Sequence, residues 1–349
     1  MKILITGGAG FIGSAVVRRA IADGHEVVNL DALTYSANLE NVAEVADSPR
    51  YAFEQADVAD AAAVAQVFVR HKPDAVMHLA AESHNDRAIE EPLAFVRTNV
   101  LGTAVLLDAA RRHWQGLEGR AKAAFRFHHV STDEVFGALG EEGAFSETTP
   151  YDPNSPYSAS KAGADHLVRA WGRTFGLPVV LTNCANNYGP YQFPEKLIPT
   201  VILRALEGKT IPVYGDGRQV RDWLHVDDHA EALLLVLEKG RLGETYLIGG
   251  DSTQRNIELV RALCGHLDRL APANIPHAER ITFVTDRPGH DFRYSIDATK
   301  LREELGWSPR TPLGDGLADT VRWYVDNSGW WQGIRDRGFH SERLGLVKA

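Results

Sequence analysis

The sequence predicts an α/β fold in which a doubly wound parallel sheet is joined to a smaller α/β unit assembled from separate stretches of chain. Three observations carry this. Short β-branched runs alternate with longer amphipathic ones through the first half, the pattern of a parallel sheet with helices on both faces. A glycine-rich turn follows the first run directly. Beyond Asn183 the texture shifts to connections such as Asn187-Tyr188-Gly189-Pro190 and Tyr214-Gly215-Asp216-Gly217, which signal turns and loops.

In chain order, strands are expected over residues 3–6, 25–30, 51–55, 75–79 and 125–131, with 178–183 continuing the series. Helical patterns lie between them at 12–22, 61–70, 93–112 and 156–175. Residues 223–250 read again as helix then strand, ending Tyr246-Leu247-Ile248-Gly249-Gly250, and are expected to return to the first sheet. Residues 1–186 with 223–250 then form one domain, and 187–222 with 251–349 the other. The tail around Trp323, Trp330 and Trp331 reads as packing.

Composition narrows the partners. With 349 residues, 44% apolar and 24% charged, the chain can bury a core of its own. Cys184 and Cys264 are its two cysteines, which excludes a disulfide scaffold and any Cys-x-x-Cys site and fits a reducing, cytoplasmic setting. The opening apolar run ends too soon for a signal peptide, and no later stretch is expected to reach the roughly 20 apolar residues of a membrane span. A net charge of -9 lacks the basic field that nucleic acid requires. Neither membrane nor nucleic acid is therefore an expected partner, and an anionic ligand must be held by local donors.

Thr6-Gly7-Gly8-Ala9-Gly10-Phe11-Ile12-Gly13 leaves the first strand and opens the first helix. Glycines at 7, 10 and 13 let backbone N–H groups and a helix N-terminus approach a pyrophosphate with no side chain between. Asp31 ends the second strand, where a carboxylate can accept from ribose hydroxyls, which favours NAD over its 2′-phosphorylated form. Asp57-Val58 and Leu79-Ala80-Ala81 sit at the carboxyl ends of the third and fourth strands, placed to line the adenine and the nicotinamide ribose. The fold expected is thus Rossmann-type.

Tyr157 and Lys161 stand four apart after Pro156, so both project from one face of a helix. A free tyrosine is a poor base at neutral pH, but a nearby ammonium and a cationic nicotinamide favour the phenolate, which can then deprotonate a hydroxyl. Ser131-Thr132-Asp133-Glu134-Val135-Phe136-Gly137 ends the fifth strand at the same edge of the sheet. Adjacent carboxylates can serve as acid and base if their surroundings push their pKa values apart.

The Gly-x-x-Gly-x-x-Gly spacing and the Tyr-x-x-x-Lys pair resemble the short-chain dehydrogenase/reductase superfamily. Leu33-Thr34-Tyr35 with Asn38-Leu39, His78-Leu79-Ala80-Ala81-Glu82-Ser83-His84, Thr132-Asp133-Glu134, residues 183–199 and Arg287-Pro288-Gly289-His290-Asp291 extend the likeness over nearly the whole chain. These segments resemble the dTDP-glucose 4,6-dehydratase family, an extended branch of that superfamily. The resemblance implies a redox-neutral reaction on bound NAD. Tyr157 takes the proton of the sugar 4-hydroxyl as hydride leaves carbon 4, Glu134 removes the hydrogen at carbon 5, Asp133 protonates the departing 6-hydroxyl, and hydride returns to carbon 6. It also implies that Ala32, Leu33, Thr34, Thr98 and Asn187 face the cofactor, and that Ser83, Thr132 and Asn186 face the sugar. Lys196, Leu197, Pro212, Val213, Tyr214, Arg221, Asn256, Asp286, Arg287 and His290 match positions that cradle the diphosphate and base. Arg221 suits a diphosphate because its planar fork meets phosphate oxygens in a way that lysine does not. A homodimer through the helices at 93–112 and 156–175 is implied as well.

Departures from the family pattern are Phe136 where Tyr is usual, Asn85 where Val is frequent and Ala185 in place of Ser. A 4-epimerase or decarboxylase of the same superfamily shares the glycines, Tyr157 and Lys161, and Asp133-Glu134 argues against both. A dinucleotide sensor without catalysis fits less well, since all four catalytic side chains are present. His225 and His229 have the spacing of metal ligands on a helix. Asp227 capping that helix is the preferred reading, and no metal is expected. His128 and His129 read as strand packing.

Overall fold

The computed structural model describes residues 1–286 and 288–338. Arg287 and the last eleven residues, 339–349, lie outside them.

Six strands fall within one residue of the runs read from the sequence: β1 (Lys2–Thr6), β2 (Glu26–Asp31), β3 (Tyr51–Gln55), β4 (Ala75–His78), β5 (Arg126–Thr132) and β6 (Val179–Cys184). The chain continues through β7 (Asn186–Tyr188), β8 (Ile211–Tyr214), β9 (Val220–His225), β10 (Thr245–Ile248), β11 (Thr253–Arg255) and β12 (Ile281–Val284). Seven strands form one sheet in the order β10-β6-β5-β4-β1-β2-β3, with every neighbouring pair parallel. Such a sheet is buried on both faces, so its strands carry apolar side chains on successive residues rather than alternate ones. In β1, Ile3 and Ile5 join one core with the helices Phe11–Ala22 and Val226–Lys239. Leu4 joins the opposite core with the helices Ala61–His71 and Thr103–Gln115. Strand order reverses between β1 and β4, and ligand crevices open there, outside the carboxyl ends of the strands.

The second unit holds the sheets β11-β9-β7 and β12-β8. Around them pack Ile198 and Val201, Leu259 and Leu263, and Val321 and Tyr324, from three helices. The strand β9 straddles the expected boundary at Trp223, so the segment 223–250 begins in the small sheet before its helix and β10 rejoin the large one. Trp330 and Trp331 are buried, and the Trp330 indole donates to Asn41 Oδ1 at 2.8 Å, consistent with a packing role for the tail.

The helix expected over 93–112 is divided. A π-helical turn, Val96–Gly102, separates Pro92–Phe95 from Thr103–Gln115. Asn99 in that turn donates to Glu82 O and Ser160 Oγ and accepts from Glu82 N–H, tying the turn to the loop after β4. Contrary to the sequence expectation, the run Pro92–Gln115 is long and apolar enough to cross a membrane on length and composition. Leu106, Leu107 and Ala110 of that run are fully buried in the core beside the sheet.

Candidate active site

At the β1 turn, Gly7 has φ +75°, and a Cβ there would stand 2.8 Å from the Ala80 backbone. A Cβ on Gly13 would lie 2.0 Å from the Gly7 carbonyl oxygen. The turn and the first helix therefore meet backbone against backbone. Gly10 caps the helix Phe11–Ala22 with no side-chain bond to its first N–H groups, which leaves them for an anion. Gly13→Ala is expected to force the turn open, with a stability loss of about 1–3 kcal/mol and loss of retained cofactor. Thermal melting and nicotinamide content after gel filtration would show it, and an unchanged NAD content would contradict it.

A cleft of about 450 Å³ runs from this turn along the sheet edge. Every expected cofactor position except Leu33 lines it. Leu33 instead takes a left-handed conformation, φ 54°, with its N–H donating to Asp31 Oδ1 at 2.8 Å. Ala9 N–H donates to the other Asp31 oxygen at 3.0 Å. Burial raises the Asp31 carboxyl above its ordinary pKa, and these two amides oppose the rise. The buried carboxylate beside a side-chain-free helix start fits a dinucleotide. Asp57 pairs with Arg97 at 2.7 Å, and both line the cleft.

The helix Pro156–Phe175 starts with a reciprocal cap in which Ser155 and Ser158 each bond the other's backbone N–H. It carries Tyr157, buried edge-on to Phe95 at 6.2 Å, and Lys161, whose Nζ donates to Val130 O at 2.9 Å. Burial, then the charge of Glu134, holds the Tyr157 phenol well above its usual pKa. Burial lowers Lys161, and the Asp165 carboxylate on the same helix opposes that.

The two adjacent carboxylates have opposite surroundings. Asp133 is 2% exposed, accepts from the Thr132 hydroxyl at 3.3 Å, and has an oxygen, Oδ2, with no hydrogen-bond partner. Burial, then the charge of the neighbouring Glu134, pushes its carboxyl well above the usual carboxylate range, which favours the protonated form. Glu134 is partly exposed and its Oε2 accepts from Asn85 Nδ2 at 2.9 Å. Glu134 lines the cofactor cleft and also a second pocket of about 210 Å³, whereas Asp133 lines neither.

That second pocket holds Asn186, Lys196, Leu197, Pro212, Val213, Tyr214, Arg221, Asn256 and His290 from the expected substrate set. Ser83 and Thr132 line the cofactor cleft, and Lys196 Nζ donates to Ser83 O at 2.7 Å. Arg221 is 5% exposed, held by the carbonyls of Val220, Asp291 and Phe292, with its guanidinium 4.1 Å from the Tyr294 ring centre. Asp286 does not line the pocket. Its carboxylate accepts from Gln219 and pairs with His290 Nδ1 at 2.6 Å, so it orients the ring that does. Arg287 lies outside the described residues.

Among the described residues no cluster of three or more His, Cys, Asp or Glu side chains is arranged to hold a metal. The helix Val226–Lys239 is capped by His225, whose Nδ1 accepts from Asp227 N–H at 3.3 Å, and not by Asp227 as the sequence suggested. His229 donates to Asn187 Oδ1 at 2.8 Å and is held neutral by burial, its pKa lowered to about 3. His128 and His129 are fully buried strand residues, as expected.

Sequence reasoning missed Glu195, Asn85 and Tyr294. Glu195 lines both pockets, accepts from Tyr35 at 3.1 Å and is raised by burial to about 6. Asn85 was visible only as a departure from a family pattern. Tyr294 reaches Arg221 through tertiary contact that no local motif announces.

The model of the GDP-mannose 4,6 dehydratase family matches residues 4–320. A dTDP-glucose 4,6-dehydratase from Neisseria meningitidis serogroup B is 58% identical, with 99% of each chain covered. One from Escherichia coli K12 is 56% identical over 98% of this chain and 97% of its own. The solved dTDP-glucose 4,6-dehydratase of Streptomyces venezuelae, with NAD bound, superposes with a TM-score of 0.87 at 46% identity, covering 96% of this chain and all of its own. A UDP-glucose 4-epimerase from Thermotoga maritima matches at 30% identity and a TM-score of 0.82, over 94% of this chain and all of its own. With the glycine turn, the Tyr-Lys helix and Glu134 in one cleft and Asp133 buried next to Glu134 in sequence, the chain belongs to the extended short-chain dehydrogenase/reductase superfamily, in its dTDP-glucose 4,6-dehydratase family.

Proposed function

We propose that the protein converts dTDP-glucose to dTDP-4-keto-6-deoxyglucose and water. The observation that carries this is the contrast between Asp133, buried with its carboxyl pushed up in pKa, and Glu134, partly exposed, hydrogen-bonded to Asn85 and facing both pockets. Bound NAD supplies a hydride acceptor for carbon 4, a hydride donor for carbon 6 and a positive charge in the cleft that Tyr157 lines. Tyr157 takes the proton of the 4-hydroxyl, with Lys161 holding positive charge on the same helix face. Thr132 hydrogen-bonds the sugar near carbon 4. Glu134 removes the carbon 5 proton, which the 4-ketone has made acidic, and Asp133 gives its proton to the departing 6-hydroxyl. Arg221, with Lys196, meets the diphosphate, and the pocket around Tyr214, Asn256 and His290 takes the base. A 4-epimerase has no use for an acid and a base across carbons 5 and 6.

Turnover of dTDP-glucose in deuterated water should place one solvent deuterium at carbon 5 of a 4-keto-6-deoxy product, read by NMR and mass. Recovery of a 4-epimer, or of product without label, would overturn this. The active form is a cytoplasmic homodimer in this reading. Leu93, Val96, Leu101 and Phe175 support it, because they leave an apolar surface exposed on the two helical segments of the expected interface. Sedimentation of the pure protein tests the dimer directly.

A further inference from the structure

We infer that Asn85 is a positioning residue for the carbon 5 base, fixing Glu134 and its charge relative to Tyr157. This rests on the assignment of Glu134 as that base. Asn85 Nδ2 donates to Glu134 Oε2 at 2.9 Å, while Asn85 Oδ1 accepts from Ser155 Oγ at 3.1 Å. The amide has one workable orientation, because an ionised carboxylate accepts only and its neighbour must be the NH₂ end. Ser155 is in turn the N-cap of the catalytic helix, with its Oγ accepting from Ser158 N–H at 3.0 Å. Two hydrogen bonds thus run from the carboxylate of Glu134 to the N-cap of the helix that presents Tyr157, and a third reaches its first turn. The groups that act on the 4-hydroxyl and on carbon 5 are thereby spaced by one short, polar strut.

Oxidation at carbon 4 does not use Glu134 and should not depend on Asn85.

Asn85→Val removes both bonds with a side chain of similar bulk at a partly exposed position. It should slow carbon 5 proton removal about tenfold and raise the isotope effect seen with substrate deuterated at carbon 5. KM for dTDP-glucose and the rate of cofactor reduction in a single turnover should stay as in the parent. Asn85→Asp keeps an acceptor for Ser155 but sets a second carboxylate against Glu134 in place of the donor, so it should slow the same step and raise the same isotope effect. A kcat and a carbon 5 isotope effect equal to the parent's in both variants would overturn the assignment, as would a rise in KM with kcat and isotope effect unchanged. If the parent protein itself yields no 4-keto-6-deoxy product, the proposed function fails first. Normal parent turnover with an indifferent Asn85 removes only the positioning role.

Discussion

Glu134→Gln is expected to stop product formation while leaving the first oxidation intact. The amide is nearly isosteric and can still accept from Asn85 Nδ2 through its oxygen, so the contact at 2.9 Å can persist. It has no basicity with which to take a proton from carbon. General-base catalysis contributes about 10²–10⁴-fold, and a loss of that size is expected in kcat. Because oxidation precedes elimination, reduced nicotinamide should accumulate on the enzyme and persist. Rapid mixing with dTDP-glucose, followed by near-ultraviolet absorbance and NMR of the quenched mixture, separates the two steps. Product at the parent rate would place the base elsewhere.

Tyr157→Phe should fail earlier. The ring keeps its edge contact with Phe95 and its buried seat, so the helix and the cleft remain in place. What is lost is the group that accepts the 4-hydroxyl proton, again worth about 10²–10⁴-fold in rate. Here no reduced nicotinamide should appear, and KM should change little, since the hydroxyl acts in the transition state more than in binding. Reduced nicotinamide forming at the parent rate in this variant would show that another group takes the proton. The two variants together order the reaction: one stalls before the cofactor is reduced, the other after.

The contrast between them tracks what could be learned from the chain before its structure. The glycine turn, the Tyr157-Lys161 pair and the Asp133-Glu134 pair are local patterns, complete within a few residues, and the structure brings the first two and Glu134 to one cleft, with Asp133 buried behind it. The six early strands were legible for a similar reason, since a parallel strand buried on both faces writes its burial into consecutive residues. The division of Pro92–Gln115 was not legible, because its apolar pattern runs on through the π-helical turn and only the bonds of Asn99 mark the break. Nor could the sequence show that Asp286 turns to His290 and Gln219, or that Leu33 stays off the cleft wall and gives its N–H to Asp31. Each depends on partners set by tertiary structure. The raised pKa of Asp133 belongs to the same class, since burial, which no pair of adjacent letters reveals, is its largest cause.

The place of β10 in the large sheet has a consequence for how the chain is made. Strands emerge from synthesis in order, yet β6 finds its outer neighbour only when Thr245–Ile248 arrives, after residues 185–244 have been added. Until then the nascent sheet ends in an open edge, β6, that the finished fold buries along its whole length and whose backbone groups can pair with another chain. Closing so long a loop carries an entropic cost that grows only slowly with its length, and helix and sheet formation within the loop shortens the search. The vulnerable interval is therefore set by translation as much as by folding. A truncation anywhere between β6 and β10 would leave a sticky intermediate rather than a smaller working enzyme, and chaperone demand should peak in that window.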